Sequence, residues 1–264
     1  MNYSNSEIKW NQWFAGVIDG DGYLAIQKNN VAVCEITMPL CDEPLLAEIK
    51  QRLGGSIRLR SGAQAVRYRL GHKAGIQELI ERVNGSIRNS VRVPQFQRLC
   101  EKFEIPFIPA PPLDSQSGYT AGFYDADGTT FIATTRSSPE HATQKGDLGK
   151  INRLSHSRGA NQLRVGISNK HRSNVEIFYE AFGFGQIREL RQLSKTCYTW
   201  ELRSEEDILR FIDYATQTPC RSDKRKRLFL ALHYFKLKRM KAHLAPEGTN
   251  KLKAWFLFSQ KWYS

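Results

Sequence analysis

The chain has 264 residues, of which 41% are hydrophobic and 25% charged, the balance of an ordinary globular protein, so wholesale disorder and a fibrous repeat are excluded. At about 150 residues per domain, that length predicts roughly two domains, each able to bury a core. Lys plus Arg number 39 against 26 for Asp plus Glu, and the resulting +13 suits a polyanionic partner rather than a small acidic metabolite.

The first ten residues hold no arginine and no apolar stretch, so neither a secretory signal nor a transit peptide is expected. A helix is predicted to lead into Asp19-Gly20-Asp21-Gly22, followed by strands over Tyr23 to Lys28 and Val31 to Thr37. A second helix should end near Gly54-Gly55, with strands Ile57 to Arg60 and Val66 to Leu70 after it. Alternation in those two strands sends Ile57, Leu59, Val66, Tyr68 and Leu70 to one face and Arg58, Arg60, Arg67 and Arg69 to the other. Four arginines with no interleaved acid repel one another unless an anion covers them, so phosphate contact is expected there. Helices close the unit, one opening on the basic stretch Arg88 to Arg98.

Pro106, Pro109, Pro111 and Pro112 then mark a stiff, extended linker over 106–117. Beyond it the order begins again: Ala121-Gly122 repeats Ala15-Gly16, and Asp125-Ala126-Asp127-Gly128 repeats Asp19-Gly20-Asp21-Gly22 at an offset of 106. Strands are predicted over Thr130 to Thr135, Leu163 to Asn169, Ile187 to Arg191 and Tyr198 to Arg203, with Gly183 and Gly185 at the place of the first Gly pair. Acid to Gly pair is 56 residues here against 33 before, and the excess falls on the polar stretch 136–159, read as a long strand connection or loop. The domains are thus drawn as 1–105 and 118–264. The charge is lopsided, +2 up to residue 117 and +11 after it. Arg188 and Lys170 are the candidate phosphate contacts of the second copy, which has no arginine face.

The longest apolar runs, Phe14 to Ile18 and Ala254 to Phe258, fall far short of the roughly 20 residues that span a bilayer. The tail 251–264 reads as an amphipathic helix packed on the second copy. Five cysteines with no CxxC pair predict free thiols. His72, His141, His156, His171, His233 and His243 show no metal spacing and are expected at the surface or in loops.

Aspartates next to glycine are common in turns. A calcium loop is excluded because Asn30 stands where its closing glutamate should be. Gly16 and Gly20, with Gly122 and Ala126, clear one face of each helix for close approach of the other. Packed side by side, the helices would bring Asp21 and Asp127 together at their C-terminal ends, where two carboxylates and two helix dipoles repel and a hard divalent cation relieves the strain. The carbonyls of Gly20 and Ala126 are further candidate ligands.

The doubled string, Phe14 to Gly22 and Thr120 to Gly128, resembles the signature of the LAGLIDADG homing endonucleases, and the likeness runs over nearly the whole chain. The resemblance implies an α+β fold: two tandem αββαββα domains whose antiparallel sheets form a DNA-binding saddle, with a pseudo-twofold axis through the packed motif helices. It implies a monomeric, intron-encoded, site-specific endonuclease that hydrolyses one phosphodiester on each strand of a long DNA site with Mg²⁺, for which Ca²⁺ or Mn²⁺ can substitute, and it favours an organelle. On this resemblance Asp21 and Asp127 bind metal, while Asp19 and Asp125 hold the helix ends. Lys224 and Arg92 match the basic residue near each scissile phosphate, although arginine cannot shuttle a proton. Asn169 matches the polar group that positions water; the first copy offers only Thr37-Met38-Pro39-Leu40 there, so unequal strand rates are expected. An RNA-binding group I intron maturase on the same fold is the alternative, and a catalytically dead DNA-binding module a third reading.

Overall fold

The computed structural model describes residues 3–134, 145–159, 161–192 and 195–263. Helix α1 (Asn5–Asp21) starts at Ser4, whose hydroxyl accepts from Glu7 N while the Glu7 carboxylate accepts from Ser4 N, a reciprocal cap. It ends where Gly22 turns extended and returns its N–H to the Ile18 carbonyl. Trp10, Trp13, Phe14, Val17 and Ile18 are all buried, so the helix lies inside the protein with apolar side chains on most of its circumference.

Strands β1 (Gly22–Ile26), β2 (Ala32–Pro39), β3 (Ser56–Leu59) and β4 (Ala65–Leu70) form an antiparallel sheet ordered β1-β2-β4-β3. Helix α2 (Glu43–Leu53) connects β2 to β3, and α3 (Lys73–Val83) and α4 (Arg92–Lys102) follow β4. Helix α5 (Tyr119–Asp127) then repeats α1 in outline, ending at an extended Gly128 whose N–H meets the Tyr124 carbonyl. A second four-stranded sheet, ordered β5-β6-β8-β7, is built from β5 (Gly128–Thr134), β6 (Asn161–Asn169), β7 (Gln186–Gln192) and β8 (Lys195–Leu202). Helices α6 (Gly146–His156), α7 (Ser173–Phe182), α8 (Glu205–Gln217), α9 (Lys224–Arg239) and α10 (Asn250–Tyr263) complete the chain. The fold is α+β with two four-stranded antiparallel sheets.

Two compact units result. One comprises 1–128, 167–201 and 213–223; the other comprises 129–166, 202–212 and 224–264. In the first, Tyr119, Phe123, Phe178 and Trp200 form a ring cluster with neighbouring centroids 5.3–6.3 Å apart, beside the aliphatic core of the first sheet. In the second, α10 buries Leu252, Trp255, Phe258, Ser259 and Trp262 at helical spacing, and Trp255 donates to the Leu154 carbonyl of α6.

Several expectations are corrected. The stretch 136–159 is a helix over Gly146–His156 rather than irregular, because Ile151 and Leu154 give it an inward side where Leu154 is fully buried. Residues 135–144, with His141, lie outside the described residues. Leu59, assigned to the core face, is 71% exposed because β3 is an edge strand. His243 is buried rather than superficial, and burial together with Lys238 and Arg158 lowers its pKa to about 4. The five thiols are free, and no described helix is long and apolar enough to cross a membrane.

Candidate active site

Helices α1 and α5 meet backbone to backbone. A Cβ on Gly16 would stand 2.7 Å from Phe123 N, and one on Gly122 would stand 2.7 Å from the Trp13 carbonyl carbon and 3.0 Å from Val17 N. At the end of the seam Gly20 faces the Ala126 methyl, leaving no room for a second one. Gly16, Gly20 and Gly122 are therefore required by the opposite helix.

The seam is clasped at both flanks by the sixth-position aspartates. Asp19 Oδ2 accepts from Arg88 N (2.6 Å), Asn89 N (2.9 Å) and the Tyr119 hydroxyl of α5 (2.7 Å). Asp125 accepts from Arg221 N and Ser222 N (each 2.8 Å), from the Ser222 hydroxyl (2.6 Å) and from Trp13 Nε1 of α1 (2.8 Å). The arginines lie over the same two rings, Arg88 above Tyr119 at 5.2 Å and Arg221 above Trp13 at 4.2 Å. Each aspartate thus ties its own helix to the other motif helix and to the loop before α4 or α9. Complete burial raises the Asp19 pKa to about 6 against the pull of its donors.

These bonds also set the register between the repeats. After the two amides given to aspartate, the third goes to a side chain near the second helix of the opposite repeat: Ser90 N to Asn174 Oδ1 at 2.9 Å, and Asp223 N to Asp42 Oδ1 at 2.6 Å. Arg88-Asn89-Ser90 therefore corresponds to Arg221-Ser222-Asp223. By these bonds the next residue is Val91 in one repeat and Lys224 in the other, one position from the expected pairing of Arg92 with Lys224, which the helix starts at Arg92 and Lys224 keep. Lys224, half-buried, opens α9, while Val91 is exposed.

By the same bonds Arg92 is the counterpart of the exposed Arg225, and it turns inward. Its Nε donates to the Ile18 carbonyl at 3.3 Å. Burial lowers its pKa, and Asp19, Asp127 and Asp21 offset that loss, so both eighth-position acids lie within its electrostatic reach and it remains a cation. Asp21 and Asp127 are half-exposed. A Cβ on Gly20, next to Asp21, would lie 3.7 Å from Asp127 Oδ2, so the α5 carboxylate comes up against the end of α1. Burial and Asp127 together raise the Cys197 thiol, which places this β8 residue within electrostatic reach of Asp127, a neighbour no spacing in the sequence signals. Asn169, whose carbonyl accepts from Cys197 Sγ at 3.4 Å, spends its own Oδ1 on Asn174 Nδ2 (3.0 Å) and His171 N (3.1 Å). Among the described residues its amide N–H pair has no hydrogen-bond partner.

Two carboxylates alone make an incomplete cation site, and no group of three or more His, Cys, Asp or Glu able to hold a metal occurs among the described residues. The donors are all hard oxygens on half-exposed side chains. They fit Mg²⁺ or Ca²⁺ provided water and an anionic oxygen supply the other positions.

The arginine face of the first sheet is not free of acid. Register aligns Tyr23, Glu35, Arg69 and Ser56 in one row across the strands and Thr37, Arg67 and Arg58 in the next. Glu35 accepts from Arg69 Nη1 at 2.6 Å and approaches Arg67 Nη1 at 3.4 Å, and Arg69 Nη2 also donates to Gln27 at 3.1 Å. In the second sheet Arg188 is held likewise, by Glu201 at 3.1 Å and Gln186 at 2.8 Å. Among the described residues Arg58, Arg60 and Lys170 have no such partner. Arg58 and Arg60 line an open concavity of about 670 Å³ with Arg67, Arg69 and Glu35. The partner acids escaped the strand alternation because they come from neighbouring strands, β2 and β8.

Two helices seamed by small residues, each ending in an acid and feeding an antiparallel sheet, define a duplicated α+β fold. No family model matches the sequence. The chain is 39% identical over 260 residues to the intron-encoded RNA maturase bI4 of Saccharomyces cerevisiae, a match spanning 98% of this chain and 38% of the maturase's length. It is 30% identical over 229 residues to the intron-encoded DNA endonuclease ai2b of Dictyostelium discoideum, covering 85% of this chain and 79% of that one. The fold is that of the homing endonuclease I-LtrWI solved bound to target DNA, with a TM-score of 0.69 at 17% identity over 95% of this chain and 97% of that one. The chain belongs to the LAGLIDADG homing endonuclease family.

Proposed function

We propose that this chain is a site-specific, divalent-metal-dependent DNA endonuclease, organised as tandem repeats over 1–105 and 118–264 and acting as a monomer that cuts both strands of a long target. What supports the reading is the close approach of α1 and α5, with Asp127 Oδ2 against the end of α1 and both eighth-position acids within electrostatic reach of Arg92. Asp21 and Asp127, with the carbonyls of Gly20 and Ala126, would hold Mg²⁺. A bound cation supplies an activated water and neutralises charge developing on the phosphate and the leaving 3′ oxygen. Arg92 lowers the repulsion between the acids and adds positive charge without exchanging a proton. Lys224 donates to phosphate or relays a proton through water, and the Asn169 amide orients that water. Asp19 and Asp125 act through position, holding the loops that carry these groups.

A second reading has an observation of its own: the relative at 39% identity is an RNA maturase. Plasmid cleavage by Asp21→Asn and Asp127→Asn beside wild type, together with binding of both nucleic acids, separates the two. The endonuclease reading expects wild type to cut the intronless DNA junction in Mg²⁺ and to bind without cutting in Ca²⁺, with cutting abolished in each variant. Binding of intron RNA with no cutting of the junction gives the molecule to the maturase reading.

A further inference from the structure

The basic sheet residues fall into two physical kinds. Arg69 and Arg188 are each held from two sides, by a carboxylate and by a glutamine oxygen, in separate sheets and with the same chemistry. Gln186 lies directly opposite Glu201 in the β7–β8 register, so acid and amide form one frame around the Arg188 guanidinium. Glu201 is only 8% exposed, so its carboxylate is confined beside the guanidinium. Arg58 and Arg60 are exposed and have no partner among the described residues.

A guanidinium has five N–H donors. In Arg69 the frame engages Nη1 and Nη2, whereas in Arg188 Gln186 takes a hydrogen bond from Nη2 and Glu201 stands against Nε as an ion pair at 3.1 Å without a hydrogen bond. The remaining hydrogens keep a fixed direction, enough for the two parallel bonds that guanine O6 and N7 accept in the major groove. The carboxylate also cancels most of the charge, so such an arginine contributes little to counterion release. An unframed arginine is the reverse: a mobile full charge suited to phosphate.

We propose that Arg69 and Arg188 are base-reading, specificity-determining residues, oriented by Glu35 with Gln27 and by Glu201 with Gln186, whereas Arg58 and Arg60 grip the phosphate backbone. This revises the uniform phosphate field expected from the alternation, and it rests on the DNA-binding part of the proposed function.

The test needs no cleavage and no metal. A duplex is selected by wild type from a randomised library. Its affinity and that of a random duplex are then measured across a salt series for wild type, Arg69→Lys, Arg188→Lys, Arg58→Ala and Glu35→Gln. Arg69→Lys and Arg188→Lys keep the charge and lose the guanidinium fork, so they should weaken the selected duplex about 5- to 150-fold, barely change the random one and leave its salt slope intact. Arg58→Ala should weaken both and flatten the log–log slope by about 0.9. Glu35→Gln, which keeps the shape of this half-buried side chain and removes only its charge, should tighten random binding, steepen the slope and erase preference at one base pair. If Arg69→Lys or Arg188→Lys keeps both the affinity for the selected duplex and its sequence preference, the assignment is overturned while the DNA reading stands. If wild type itself selects no duplex, the DNA reading fails and the assignment falls with it.

Discussion

Replacing Gly122 by alanine tests the seam on which the candidate site depends. The added methyl would stand 2.7 Å from the Trp13 carbonyl carbon, closer still to the Trp13 oxygen, and 3.0 Å from Val17 N, where ordinary contact begins at 3.4 Å. The obstructing atoms are all backbone, so no rotamer change relieves them, and the helices must part by at least 3.4 − 2.7 = 0.7 Å. Overpacking of this kind costs about 1–3 kcal/mol. Taking about 2 kcal/mol, the Tm of a chain this size should fall by about 4–8 °C. Gly71→Ala is the control, because its methyl would meet only Val33 Cγ1 at 3.6 Å and the Ala32 carbonyl at 3.9 Å. It should change Tm by no more than about 2 °C, since its cost lies within a few tenths of a kcal/mol. A shift of the acids by most of an ångström should also slow strand cleavage on the order of 100-fold while DNA binding changes much less. Differential scanning calorimetry and a plasmid time course read the two effects. Equal melting of Gly122→Ala and Gly71→Ala, with cleavage retained, would refute close helix approach as the device that brings Asp21 to Asp127.

The correspondence of Val91 with Lys224 predicts unequal half-reactions: supercoiled plasmid should accumulate as nicked circle before becoming linear. Val91→Lys should speed the second cut about tenfold, and Lys224→Ala should slow one strand about 100-fold; direct conversion to linear product by wild type would contradict the pairing. His243 should make stability fall with acid. Its folded pKa of about 4 lies below the ordinary 6.5, so its contribution is complete above pH 6.5 and is lost progressively as pH falls toward 4, where the unfolded chain takes up the proton first. Screened by solvent, the loss is about 1–2 kcal/mol, and His243→Gln should show a flatter Tm profile between pH 7 and 4, whereas parallel profiles would show that another group titrates.

The duplication, the eight strands, the four small seam residues and the two acids were legible in the chain because each follows from local rules: period-two alternation, glycine spacing and a string repeated at a fixed offset. Even the terminal helix could be read from its apolar spacing. Long-range pairing decided the rest. Glu35 and Glu201 neutralise arginines that a single strand shows as an unbroken basic stripe, because hydrogen-bond register and not sequence distance sets who faces whom. Trp13 and Tyr119 are buried aromatics that act also as hydrogen-bond donors to Asp125 and Asp19, more than 99 residues away in the chain, a pairing created only when α1 and α5 touch. The count from the Gly pair to the basic cluster could not distinguish Val91 from Arg92, since a loop can absorb one residue anywhere along its length; the amides given to Asp19 and Asp125 align Val91 with Lys224. The sequence by itself determined which residues could be acids, seam and strands, while the tertiary structure decided which charges cancel, because Coulomb attraction depends on distance through space and the chain records only order.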